Sequence, residues 1–117
     1  MSKVLLAEDD QTMVALLKTL LKMEGYEVAA LDADADIVQT ALAANPDILL
    51  MDVHLLHLNG IDELKKLRAA PGGRSMRVLM TSGLDFKDQC LANGANGFIQ
   101  KPFMPDDLLD AMKKLVT

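Results

Sequence analysis

A chain of 117 residues, half of them hydrophobic and a quarter charged, can bury one continuous core and leaves little room for a second domain. Its net charge of −5 and its few aromatics, with no Trp, argue against non-specific binding to DNA, an anionic membrane or single-stranded nucleic acid. The single cysteine, Cys90, can form no internal bridge and offers no zinc spacing. With no apolar run long enough for a signal core or a span, a cytoplasmic protein without membrane insertion is expected.

The first apolar run, KVLLA (3–7), reads as a strand and is followed by three acids, Glu8, Asp9 and Asp10. Met13, Leu16, Leu17, Leu20 and Leu21 follow at helical spacing, with Asp10 as N-cap and Gly25 beyond the end. A second strand, YEVAAL (26–31), leads to a helix with Ile37, Ala41 and Leu42 on one face, stopped at Asn45-Pro46. Asp32, between the two, is read as a cap or turn residue. The third strand, DILLM (47–51), is the most hydrophobic of the chain, yet a carboxylate, Asp52, stands at its tip. A loop carrying His54 and His57 comes next, then a helix with Ile61, Leu64 and Leu67, which Pro71-Gly72-Gly73 stops. RVLMTS (77–82) is the fourth strand, a short helix holding Cys90 ends at Asn93-Gly94, and GFIQ (97–100) is the fifth strand. The last helix begins at Pro105 with Asp106 and Asp107, turns Leu108, Leu109, Met112 and Leu115 or Val116 inward, and carries Lys113 and Lys114 near its end. Those charges suit the helix dipole at both termini.

Five strands and five helices in strict alternation predict a parallel sheet covered on both faces. Right-handed crossovers favour a doubly wound, flavodoxin-like α/β sheet of order 2-1-3-4-5. Ligands of such sheets bind beyond the carboxyl ends of the strands. There this chain delivers Glu8, Asp9 and Asp10, then Asp32, Asp52, Thr81 with Ser82, and Gln100 with Lys101. The first and third strands would be neighbours, so Glu8, Asp9 and Asp52 are expected to converge and to need a compensating charge. A hard divalent cation with oxygen ligands, Mg²⁺ or in its place Mn²⁺, meets that need. Lys101 and the Ser82 hydroxyl add donors, which makes an anion slot suited to a phosphoryl group on or near a carboxylate.

Four segments, KVLLAEDD, PDILLMDVHLLHLNGIDELKKLR, RVLMTSG and GANGFIQKPF, stand in an order and spacing that resemble a response-regulator receiver domain. The likeness is to the single-domain chemotaxis regulators and covers residues 1–117 as one domain. It implies that Asp52 is the phosphoacceptor, that Glu8 and Asp9 with Asp52 hold Mg²⁺, and that His54 offers its backbone carbonyl to the metal. Ser82 would be the switch hydroxyl, Lys101 the cationic partner, and Phe98 the aromatic that reports the switch to the output face. The Lys101–Pro102 bond is expected to be cis, and His54 and Leu84 to tune how fast water attacks the phosphoryl group. Implied partners are a histidine kinase or histidine phosphotransfer protein as donor and an unidentified output protein, without direct nucleic-acid contact. The domain would catalyse only its own phosphorylation and dephosphorylation.

The chain departs from the family pattern in two further places. Leu56 stands where the family often has Pro, and the stretch from Ser82 to Gly94 is about three residues short, close to one helical turn. The fourth helix helps form the family's usual partner face, so the shortening bears on output specificity. Other features fit simpler roles. His54 and His57 lack a third ligand, APGGRS lacks the Gly-Lys-Ser/Thr ending of a P-loop, the eight Met are core filler, and Cys90 is a small buried residue without redox duty. A metal-dependent phosphatase would want its nucleophile on the first strand in an Asp-x-Asp arrangement. A flavin carrier would want a hydroxyl-rich phosphate loop and aromatics. The remaining alternative is a receiver-like adaptor that binds a partner without being phosphorylated.

Overall fold

Each apolar run expected to form a strand does so, and the tip of the third reaches one residue further than its apolar residues. The computed structural model describes residues 2–32, 34–55 and 57–116, so Leu56 lies outside the described residues. The elements alternate as β1 (Lys3–Ala7), α1 (Gln11–Met23), β2 (Glu27–Ala30), α2 (Ile37–Ala44), β3 (Ile48–Asp52), α3 (Gly60–Ala69), β4 (Val78–Ser82), α4 (Lys87–Ala92), β5 (Gly97–Gln100) and α5 (Pro105–Val116). The strands form one parallel sheet of order β2-β1-β3-β4-β5. Within β3 and β4 every residue is buried, as central strands covered on both faces require, whereas β2 and β5 at the edges are partly exposed.

Alternation along the strands divides the core into two layers. Leu49, Met51, Val78 and Met80 pack under α2, α3 and α4, while Ile48, Leu50 and Leu79 pack under α1 and α5. Asp10 caps α1 as expected, its carboxylate accepting from the Thr12 and Met13 amides. Asn45 ends α2 in the left-handed conformation, and α4 is a short helix of 6 residues. The inward face of α1 differs from the sequence expectation: Val14, Leu17 and Leu21 are buried, while Leu16 is 62% exposed. A run of leucines at mixed spacing fits two neighbouring stripes, and the one containing the smaller Val14 faces the sheet.

Gly60 opens α3 at a point of close approach. A Cβ there would stand 2.2 Å from the Asp52 carbonyl oxygen, and the Gly60 amide donates to Val53 O at 2.7 Å. The missing side chain lets α3 begin directly against the tip of β3, which fixes where Asp52 points.

Candidate functional site

Asp52 ends β3 and is 7% exposed. Its two oxygens have separate partners: Oδ1 accepts from the His54 amide at 3.0 Å, and Oδ2 accepts from Lys101 Nζ at 2.7 Å. Glu8, just past β1, offers Oε1 to the same ammonium, while its Oε2 accepts from the Asp9 amide at 3.0 Å. Lys101 therefore bridges two carboxylates that lie 93 and 49 residues away in the chain. Its aim follows from β5, which ends at Gln100, and from its own amide, which donates to Ser82 O at 2.8 Å. The Lys101–Pro102 peptide is cis, as expected.

Charges in this cluster depend on one another. Burial pushes the Glu8 carboxyl above its ordinary range, against the lowering effect of the Lys101 hydrogen bond, and the Asp52 charge adds to the rise. Burial works to lower the Lys101 ammonium, but hydrogen bonds to Asp52 and Glu8 outweigh it and hold its pKa above the usual lysine value. The compensating charge that the sequence required is thus supplied here by the chain's own lysine.

Asp9 adjoins the cluster and lines a small cavity with Ala7, Glu8, Leu31, Asp32 and His57. Among the described residues no three His, Cys, Asp or Glu side chains gather into a ready-made metal cage. The donor chemistry nevertheless fits Mg²⁺. Glu8 and Asp52 present hard carboxylate oxygens side by side, Asp9 adds a third acid next to them, and Mg²⁺ is satisfied by one or two carboxylates plus waters.

Ser82 is fully buried at the tip of β4. Its Oγ accepts from the Leu84 amide at 3.1 Å and lies 3.4 Å from His54 Nδ1. The His54 ring meets Phe86 edge-to-face, with centroids 5.3 Å apart. Phe98 is half-buried on β5, packed on the layer beneath α2, α3 and α4. Leu84 is 61% exposed on the connection to α4. Thus Glu8, Asp52 and Lys101 are in direct contact, His54 and Ser82 form a second contact beside them, and Phe98 and Leu84 stand further out. Phe86 carried no sequence signal, because its partner lies on a different connection. Asp32 shares the cavity wall, and its carbonyl accepts from the Ala35 amide in a turn.

A doubly wound sheet whose β3 tip carries a buried, lysine-bound carboxylate defines a class, and comparison with known proteins names it. The family model for the response regulator receiver domain matches residues 4–113, so the chain belongs to that family. It is 31% identical over 115 residues to the cell cycle transcriptional regulator CtrA of Caulobacter vibrioides, covering 97% of this chain and 50% of CtrA. The chain spans about half the length of the curated relatives it matches. A crystal structure of a response regulator from Chloroflexus aurantiacus superimposes with a TM-score of 0.89 at 30% identity, covering 98% of this chain and 97% of that one. The receiver domain of the sensor histidine kinase PA1611 of Pseudomonas aeruginosa gives 0.86 at 26% identity, covering 98% and 97%. That structure is described with a magnesium ion coordinated in its active-site cleft. The protein is a receiver domain of two-component signalling, with the flavodoxin-like fold of its neighbours. Among the described residues no helix is long and apolar enough to cross a membrane.

Proposed function

We propose that Asp52 accepts a phosphoryl group from a histidine kinase or histidine phosphotransfer protein in the cytoplasm, and that the resulting charge switches a partner-binding face. The observation that carries this is the Lys101 ammonium held between Asp52 and Glu8 at the end of the sheet. Glu8, Asp9, Asp52 and the His54 carbonyl would hold Mg²⁺, or Mn²⁺ in its place. When bound, the ion neutralises phosphoryl oxygen charge, which together with positioning is most of what such a transfer needs. The chain's residues do the rest. The rigid tip of β3 aims the Asp52 carboxylate, the His54 amide holds one of its oxygens, and Lys101, which binds the other oxygen in the metal-free site, keeps a positive charge close by. No general base is required, since the nucleophile is already a carboxylate.

Ser82 is the switch hydroxyl in this reading. It turns from His54 and the Leu84 amide towards the phosphoryl oxygens, and Phe98 follows the change on β5. Leu84 and His54 tune the loss of the group to water, and replacing Leu84 with Asn should change the phosphoryl half-life severalfold. The domain catalyses only its own phosphorylation and dephosphorylation, and its output partner is a protein.

Intact mass after incubation with acetyl phosphate and Mg²⁺ tests the reading. One added phosphoryl group is expected, absent in Asp52→Asn and absent with EDTA. Failure with acetyl phosphate and also with a histidine-kinase donor would leave the second reading, an adaptor that binds its partner without phosphorylation.

A further inference from the structure

Thr81 and Ser82 are consecutive hydroxyls at the tip of β4 that serve opposite faces of the sheet. Met80 pairs with Phe98 in the layer under α2, α3 and α4, and Ser82, two residues on, turns the same way towards His54. Thr81 pairs with Asp52 on one side and Ile99 on the other, and so turns towards α1 and α5, the face that Asp52 shares. Thr81 is 5% exposed, and its Oγ1 is, among the described residues, the buried side-chain polar atom with no hydrogen-bond partner. A valine would fill the same space without the cost of an unsatisfied hydroxyl, so the oxygen calls for an explanation.

Lys101 suggests one. It starts beyond β5, and its ammonium lies at Asp52 on β3 and at Glu8 beyond β1. Adjacent strands are about 4.8 Å apart, so the lysine side chain crosses the tip of β4 on the face where Thr81 projects. Glu8 and Asp52 would hold a divalent cation through the carboxylates that now bind the ammonium, and the positive charge of the cation would push Lys101 back. The route back to β5 passes Thr81. We propose that the Thr81 hydroxyl is the receiving site for the Lys101 ammonium, accepting one of its N–H bonds when the cation displaces it. Thr81 is a positioning residue in this role, and the inference rests on the metal-assisted reading above.

The test is Mg²⁺ binding by calorimetry, without phosphorylation, on the wild type, Thr81→Val, Thr81→Ser, Lys101→Met and the Thr81→Val/Lys101→Met pair. Thr81→Val should weaken Mg²⁺ binding by about tenfold, the factor expected for one hydrogen bond to a charged group. It should melt no lower than the wild type, and Thr81→Ser should bind within about twofold of the wild type on the same expectation. In the Lys101→Met background the valine should change nothing, because no ammonium remains to be received. Wild-type affinity in Thr81→Val, no rescue by serine, or an equal loss without the lysine would each overturn the proposal. Absence of Mg²⁺ uptake by the wild type would instead remove the metal-assisted reading, and this inference with it.

Discussion

Ser82 Oγ stands 3.4 Å from His54 Nδ1, joining the tip of β4 to the loop that follows Asp52. A serine hydroxyl has one proton to donate. With the imidazole neutral and Nδ1 unprotonated, that proton goes to His54. In the proposed switch it must go to a phosphoryl oxygen, so His54 competes with the phosphoryl group for Ser82. The bond is long, and its loss should favour the switched state only modestly. His54→Ala should raise affinity for beryllofluoride, a phosphoryl mimic, by about two- to fivefold in the presence of Mg²⁺. Fluorine NMR titration checks this, and unchanged affinity would show that the contact does not restrain the serine.

Lys101 holds together a pair of carboxylates that repel each other. Its side chain is 21% exposed, while those of Glu8 and Asp52 are nearly buried, so Lys101→Met leaves two acids with little compensation. The metal-free variant should lose on the order of 2 kcal/mol in urea unfolding, less than a fully buried pair would cost because water reaches the ammonium. Mg²⁺ should restore more stability to the variant than it adds to the wild type. The sign of the pH effect follows from Glu8, whose carboxyl is already pushed above its ordinary value by burial. A raised pKa favours the folded state below it, so the deficit should shrink as the pH falls from 7 towards 5. A deficit independent of both pH and Mg²⁺ would count against the carboxylate account.

Much of this arrangement was legible beforehand, for a physical reason. β3 is covered on both faces, so its sequence is a continuous apolar run, and a carboxylate at its end stands out. The turn signals at Gly25, Asn45-Pro46 and Asn93-Gly94 then fix the alternation, and alternation fixes the sheet. What escaped was set by contacts between distant segments. Leu16 and Val14 both fit a helical stripe, and only packing on the sheet chooses between them. Nothing within HLNG shows why position 60 needs glycine, since the need comes from the Asp52 carbonyl across the loop. The convergence of acids was foreseen, with a divalent cation to offset it, but not that Lys101 itself would supply the countercharge, because the reach of a long side chain is set by packing at the strand tips.

Cys90 has no exposed surface, and burial pushes its thiol up to about 11. It should resist alkylation at pH 8 in the folded state and react at the rate of unfolding when denaturant is added. The neutral thiol is the form that folding favours. Its contribution to stability is therefore complete below the ordinary thiol range and is lost as the pH rises through about 11. Against Cys90→Ala, the wild type's stability advantage in urea should narrow between pH 8 and pH 10.5. Rapid modification by iodoacetamide at pH 8 without denaturant would show that α4 opens far more readily than its packing implies.

Arg68, at the end of α3, ties together segments remote from Asp52. Its Nε and Nη2 donate to Gly94 O at 2.9 and 2.8 Å, Nη1 donates to Gly73 O at 2.6 Å, and Nη2 also reaches Asn96 Oδ1 at 2.9 Å. The same Asn96 oxygen accepts from the Val78 amide at 2.8 Å, so one guanidinium links α3, the turn after α4 and the start of β4. Gly94 is held at φ +101°, where its missing Cβ also leaves room for the arginine stem. Arg68→Ala should cost on the order of 2–3 kcal/mol, or roughly 10 °C in melting temperature. Arg68→Lys should recover little, since a single ammonium cannot span three carbonyl directions as a planar fork does. Because none of these partners touches Asp52, Glu8 or Lys101, phosphorylation by acetyl phosphate at 10 °C should proceed at the wild-type rate in both variants. A slowed reaction in variants that remain folded would mean that the start of β4 sets the position of Ser82 and Thr81 at its far end.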